Sequence, residues 1–341
     1  VSEHADGFRS RQALNRVGDR RAIKHNSAYM KTKTLVLLGA TGFVGRYLVP
    51  RLAADGHRLT LLSRNREQHR ALEVLPNVRV RSASVHERGV LTEHFRDADA
   101  VINLVGILNE TRHQRFGDVH VALTRTVIEA CGDGGVPRLH QMSSLKAGQG
   151  LSNYLKSRGE AEAIVKASAL DWTLYQPSVI YGLGDGLISR FHALLRMAPV
   201  MPLARPDALM APVFAGDVAE AIARCVADDT LSSRRTFELY GPETYTLEQI
   251  VRMIRDAAGL RRAVVGLPDT LGRLQARVLG LLPGKPFTLD NFKSLRTASV
   301  GKRDGLKELG IKPHHFATLL PILVADAGRQ RQLDRMRRQP R

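Results

Sequence analysis

From Thr34 onward two hydrophobic periods alternate along the chain. Short apolar runs predict strands over Thr34–Leu38, Leu59–Ser63, Val78–Ser82, Ala100–Val105, Leu139–Met142 and Trp172–Gln176. Between them, apolar residues recur at helical spacing. Val44, Leu48 and Leu52 fall four residues apart before Gly56, and Val119, Leu123, Val127 and Ile128 share one face of a later helix. Strands apolar on both faces need cover on both sides. The alternation therefore predicts a doubly wound α/β fold, a parallel Rossmann sheet with helices on each face. Right-handed crossovers then bring the strand C-termini to one edge, where ligands bind.

After Gly186 the pattern loosens and Pro and Gly become frequent. Thr246-Leu247-Glu248-Gln249 is a capping box that predicts a helix through Ile250, Met253, Ile254 and Ala257. The expected organisation is a basic tail over 1–30, a Rossmann domain over 31–183, a smaller C-terminal α/β lobe over 184–325, partly interleaved with the sheet, and a basic tail over 326–341. Leu267, Leu271, Leu274, Val278, Leu279 and Leu282 form one helical stripe, with Arg273 and Arg277 beside it. Core packing is the expectation for this stripe; a membrane-surface or partner-docking helix is the alternative.

Composition narrows the class. The 341 residues are 43% hydrophobic, enough for a substantial core. No apolar run reaches membrane-spanning length, so no transmembrane segment is expected. Cys131 and Cys225 form no CxxC pair, which fits a reducing compartment without structural disulfides. The net charge is +18. The two tails account for +3 and +4, and the body between them holds the remaining +11. A basic body favours anionic partners, nucleotides and anionic lipid among them. No RNA-binding module or aromatic platform accompanies it, so nucleic acid is not an expected partner. The twelve histidines show no metal-ligand spacing, and no metal is expected. Residues 1–30 are Arg-rich but carry three acids, and Met30 directly precedes the first strand. An over-extended reading frame and a mitochondrial presequence both fit.

Gly39-Ala40-Thr41-Gly42-Phe43-Val44-Gly45 follows a predicted strand and opens a predicted helix. That context makes it a dinucleotide-binding turn. Gly39 permits the turn, Gly42 the approach of a pyrophosphate, and Gly45 close helix–strand packing. Thr41, Phe43 and Val44 complete the cradle at the helix N-terminus. The second strand ends Leu62-Ser63-Arg64-Asn65-Arg66, without the carboxylate that would bind a ribose 2′-hydroxyl. Ser63 and Arg64 suit a 2′-phosphate instead. A charge-assisted bond there contributes about 1.5–3 kcal/mol, so NADP(H) is favoured over NAD(H).

Further blocks carry a resemblance. Val101-Ile102-Asn103-Leu104-Val105-Gly106-Ile107-Leu108, Met142-Ser143-Ser144, Tyr154-Leu155-Lys156-Ser157-Arg158-Gly159-Glu160, Gln176-Pro177-Ser178-Val179-Ile180-Tyr181-Gly182 and Pro212-Val213-Phe214-Ala215-Gly216-Asp217-Val218-Ala219 occur in that order. Over residues 33–325 the chain resembles extended and atypical short-chain dehydrogenase/reductases. Within them it resembles the branch holding the nucleotide-binding accessory subunit of respiratory complex I and its bacterial relatives. The resemblance implies that Leu104, Val105 and Gly106 line the nicotinamide-side ribose, and that Pro177, Ser178 and Val179 pack at the nicotinamide amide. It implies Ser143 or Ser144 near a substrate carbonyl and Tyr154 as general acid or base. Working enzymes of the family place lysine four residues after the tyrosine, on the same helix face. Here that residue is Arg158, a planar fork rather than a compact ammonium.

The resulting expectation is an NAD(P)(H)-binding protein linked to complex I or quinone metabolism, with weakened or absent catalysis. It would be cytoplasmic or peripheral to the inner membrane, with a respiratory or membrane-peripheral partner. The alternative is an active NADPH-dependent reductase, dehydrogenase or epimerase for a lipophilic carbonyl or hydroxyl substrate. The apolar and basic residues around Leu187–Phe191 and Leu203–Pro212 suit such a ligand without choosing one.

Overall fold

Seven parallel strands form the centre of the computed structural model, which describes residues 31–282 and 285–325. They are β1 (Thr34–Leu38), β2 (Arg58–Ser63), β3 (Val78–Ser82), β4 (Ala100–Asn103), β5 (Arg138–Met142), β6 (Asp171–Pro177) and β7 (Arg235–Leu239). Their order across the sheet is β7-β6-β5-β4-β1-β2-β3. The direction of progression reverses between β1 and β4, whose register pairs Leu38 with Asn103. That switch point opens a crevice at the strand C-termini.

Side chains alternate across the sheet, and both faces are buried. Leu35, Leu37, Leu59 and Leu61 pack with Leu48 and Leu52 of α1 (Gly45–Ala54). Val36, Leu38 and Leu62 pack on the other face with Leu91 and Phe95 of α2 (Arg88–Phe95), Leu123 and Val127 of α3 (Leu123–Gly134) and Val165 of α4 (Asn153–Ala167). This two-sided burial is why the strands read as continuous apolar runs.

Around the sheet, two details depart from the sequence expectation. Strand β4 stops at Asn103, not Val105, because the Asn103 side chain competes for the ladder. Its Oδ1 accepts from the Val105 amide at 3.1 Å, and its Nδ2 donates to Gln141 at 3.0 Å. The helix predicted from Val119 onward also begins differently, as a π-helical turn over Gly117–Ala122 that passes into α3.

The smaller lobe is built from α5 (Ile188–Met197), the paired strands Val200–Ala204 and Ala263–Leu267, and α7 (Leu247–Ala257). Its core joins Tyr181, Leu195, Ile250, Ile254, Phe316 and Leu320. The Thr246 hydroxyl accepts from the Gln249 amide, and the Gln249 side chain accepts from the Thr246 amide, closing the expected capping box. Between these segments the chain returns to the sheet through α6 (Ala215–Ala227) and β7, and α6 packs on α1.

Asp217, in the first turn of α6, is buried and accepts two hydrogen bonds from His314, at 2.8 Å from the amide and 2.7 Å from Nδ1. The Asp217 carboxylate raises the His314 pKa above its usual value. The raised pKa lies in the folded state, so this pair stabilises the protein fully below pH ~6.5, the unfolded histidine value. That contribution disappears as pH rises through the folded value. The melting-temperature gap between wild type and His314→Gln is therefore expected to narrow with rising pH above ~6.5.

The leucine stripe overturns its core-packing expectation. Helix α8 (Asp269–Leu281) buries Gly272 and Ala276 and turns Leu271, Leu274, Val278 and Leu281 outward. The reason is steric. A Cβ on Gly272 would stand 3.0 Å from the Ala204 Cβ and 3.1 Å from the Phe292 ring, so the inward face accepts only small residues. Among the described residues no helix is long and apolar enough to cross a membrane. The two expected tails, 1–30 and 326–341, lie outside the described residues.

Candidate functional site

The glycine turn sits directly against the end of β4. Gly39 has φ +72°, and a Cβ there would lie 2.9 Å from the Leu104 carbonyl carbon and the Val105 nitrogen. At Gly45 a Cβ would meet the Ala40 carbonyl oxygen at 1.9 Å. The turn closes through the Gly42 amide donating to the Gly39 carbonyl at 3.0 Å. The amides of Thr41, Phe43 and Val44 have no partner among the described residues. Helix α1 has no side-chain cap and no acid in its first turn. Free amides, a positive helix end and a floor without side chains suit a diphosphate.

At the end of β2 the two arginines differ. Arg66 is engaged by Glu73, at 3.2 Å, and Glu73 also accepts from the Val80 amide. Arg64 is exposed and has no hydrogen-bond or ion-pair partner among the described residues. Ser63 is buried, its hydroxyl turned onto the Asn65 backbone.

Tyr154 and Arg158 lie one turn apart on α4, and Lys156 is exposed. The helix start is held twice. Ser152 caps the Leu155 amide, and Asp290, from beyond α8, accepts from the Asn153 and Tyr154 amides at 2.7 and 3.1 Å. The Tyr154 ring stands edge-on to Phe116 and His120, and the Arg158 guanidinium lies 5.6 Å from its centroid. The Tyr154 hydroxyl has no hydrogen-bond partner among the described residues.

Arg158 is only 6% exposed. Its Nη1 donates to the Met142 carbonyl at 3.1 Å, its Nε has no partner, and no carboxylate lies within ion-pair distance among the described residues. A Cβ on Gly106 would stand 2.0 Å from the Arg158 Nη2. Glycine at 106 is thus what lets the guanidinium lie against the loop after β4. A buried charge answered by one carbonyl is costly, and an incoming polar ligand would relieve it.

The two serines after β5 separate. The Ser143 hydroxyl donates to Glu162 at 2.6 Å; Glu162 is buried and also receives Gln176 and Lys166. The Ser144 hydroxyl is buried without a partner. Pro177 stands beside this strand end, its carbonyl accepting from the Leu145 amide at 2.8 Å. Ser178 is spent elsewhere: its hydroxyl donates to the Ser299 carbonyl at 2.8 Å. Val179 packs on the smaller lobe's core. The structure therefore gathers Gly106, Ser144, Tyr154, Arg158 and Pro177 around the ends of β4, β5 and β6, and turns the Ser143 and Ser178 hydroxyls into structural contacts.

His120 escapes the sequence reading. Its Nε2 accepts from the Ile107 amide at 3.2 Å, and its Nδ1 lies 2.8 Å from the Ser157 hydroxyl, which donates to the Tyr154 carbonyl. Burial, with the nearby Arg158 charge, pushes its pKa down to about 3. The neutral ring thus carries its proton on Nδ1 and ties the loop after β4 to the helix of Tyr154. Its partners lie 13 and 37 residues away in sequence, and no local spacing marks them.

This geometry defines a Rossmann-type dinucleotide-binding protein. Residues 39–191 match a family described as NAD(P)H-binding. The chain is 30% identical over 250 residues to the NADH-ubiquinone oxidoreductase 40 kDa subunit, mitochondrial, of Neurospora crassa, spanning 72% of this chain and 66% of that protein. It is 28% identical over 239 residues to a ceramide reductase of Caulobacter vibrioides, spanning 69% of this chain and 74% of that one. The NADPH-dependent quinone oxidoreductase QOR2 of Escherichia coli, solved with NADPH, shares the fold. Its TM-score is 0.70 at 20% identity, over 85% of this chain and 99% of that one. Residues 39–191 thus form an NAD(P)H-binding domain, and the chain as a whole resembles extended short-chain dehydrogenase/reductases of the complex I accessory-subunit branch.

Proposed function

We propose that the chain holds NADP(H) as a tightly bound element of a respiratory or quinone-linked assembly peripheral to a membrane, with hydride chemistry weakened or absent. The observation that carries this reading is Arg158. It occupies the position of the family's lysine, buried and fixed on the Met142 carbonyl. A planar guanidinium anchored there can hold ribose hydroxyls but does not readily give up a proton. The 40 kDa subunit named among the relatives supports the respiratory setting. Arg64, exposed and unpaired at the end of β2, supports a 2′-phosphate.

A second reading, an active reductase for a lipophilic carbonyl, draws on different residues. The Tyr154 and Ser144 hydroxyls are both without partners among the described residues, as a proton donor and a carbonyl-orienting group would need. The relative named as a ceramide reductase points the same way.

Mass spectrometry of small molecules released from the purified protein separates the two. NADPH that survives purification and is not oxidised by added quinones or long-chain ketones supports the first reading; turnover supports the second. Calorimetry with NADPH and NADH tests the nucleotide. Arg64→Ala is expected to weaken NADPH about tenfold or more and leave NADH unchanged. Equal affinities in the wild type would remove the preference for NADP(H).

A further inference from the structure

Helix α8 is held to the body by its small residues and shows its large ones to solvent. Leu271, Leu274 and Val278 are each about half exposed, and Leu281 is 87% exposed. Arg273 and Arg277, four residues apart, form a row along one border of this stripe. Both are exposed, and neither has a hydrogen-bond or ion-pair partner among the described residues.

The surrounding charge is one-sided. Residues 261–300 hold seven basic and two acidic side chains. Both acids are occupied: Asp269 pairs with Arg205 and Arg296, and Asp290 caps α4. An apolar face with unpaired arginines along its border has the makeup of a helix lying in a bilayer interface. A second copy is a poorer occupant, because it would bring like charges of a +18 chain together.

We propose that α8 seats on an anionic lipid surface, with its leucines among the acyl-chain ends and Arg273 and Arg277 at the phosphates. Lys285, beyond the helix, meets the loop after β4. The Asn109 side chain donates to the Lys285 carbonyl, and the Lys285 ammonium donates to the Glu110 carbonyl, beside the exposed Leu108. Seated this way, the loop after β4 lies next to the bilayer. The inference rests on α8 and not on the nucleotide reading, so either can fail alone.

The test is co-sedimentation of the full chain with vesicles of phosphatidylcholine, alone or mixed with phosphatidylglycerol. Binding to the mixed vesicles is expected, falling as salt rises. Each of Arg273→Gln and Arg277→Gln is expected to weaken it about fivefold. Leu274→Glu with Val278→Glu is expected to abolish it while the melting temperature and nucleotide affinity hold. The arginine pair keeps the test valid if the glutamate pair folds poorly. No binding to mixed vesicles at low salt overturns the proposal. So does binding untouched by all four substitutions, which would assign it to the basic tails. Light scattering that finds a dimer, split to monomers by the glutamate pair, overturns it in favour of a second copy.

Discussion

Gly45→Ala is expected to weaken dinucleotide binding about a hundredfold and to destabilise the fold by about 3 kcal/mol or more. The added Cβ would stand 1.9 Å from the Ala40 carbonyl oxygen and 2.4 Å from its carbon. Both are backbone atoms of the turn, so no rotamer change relieves the clash. Helix α1 must instead lift from β1, and Leu48 and Leu52 leave the core with it. The same shift moves the amides of Thr41, Phe43 and Val44 out of register with a diphosphate. Gly56→Ala is the matched control. Gly56, unlike Gly45, has positive φ, +85°, but a Cβ there meets nothing within 4 Å. It should cost about 1–2 kcal/mol of backbone strain and leave affinity intact. Calorimetry with NADPH and thermal unfolding of both variants check this. Near-native affinity in Gly45→Ala would mean that the turn is a plain strand–helix connection.

The glycine cradle was legible because its parts are local. Strand, turn and helix follow within a dozen residues, and the steric demands at Gly39 and Gly45 arise from the turn itself and its neighbour β4. Strand β7 was not legible. Arg235-Thr236-Phe237-Glu238-Leu239 alternates polar and apolar and follows a stretch that reads as a separate lobe. Its pairing with β6 depends on contacts 62 positions back, as in Arg235 with Thr173. The leucine stripe of α8 failed for the opposite reason. Periodicity reports that a helix has an apolar face but not which way that face turns. Gly272 and Ala276 decided it.

The chemistry divides the same way. That Arg158 shares a face with Tyr154 follows from helical spacing alone. That Arg158 is buried without a carboxylate, and that Ser143 is captured by Glu162 while Ser144 is not, depend on groups brought together by the sheet edge. His120 is the extreme case. No spacing in the sequence marks it, yet it is buried and both ring nitrogens hold groups at the crevice.

Arg158→Met is expected to move stability and nucleotide affinity in opposite directions. Without nucleotide, the guanidinium is a buried charge with one carbonyl for company, and methionine fills much the same length without that burden. Exchanging a poorly compensated buried ion for an apolar side chain stabilises by about 1–4 kcal/mol where packing is kept. The nucleotide-free variant should therefore melt a few degrees higher than wild type. The Ile107 amide and Ser157 hydroxyl still hold His120, but the Arg158 charge no longer depresses its pKa. The His120 ring should titrate higher in the variant, still below its unfolded value because burial is the larger cause. Stability tied to that neutral ring is present above pH ~6.5 and lost as pH falls toward the folded value, so the variant should resist acid better. If the guanidinium holds the ribose hydroxyls as proposed, dinucleotide affinity should fall about tenfold or more. A general loss of packing would lower both quantities together, and a surface role would leave both unchanged. Only a charge kept for its ligand separates them, and thermal unfolding with and without NADPH reads that separation directly.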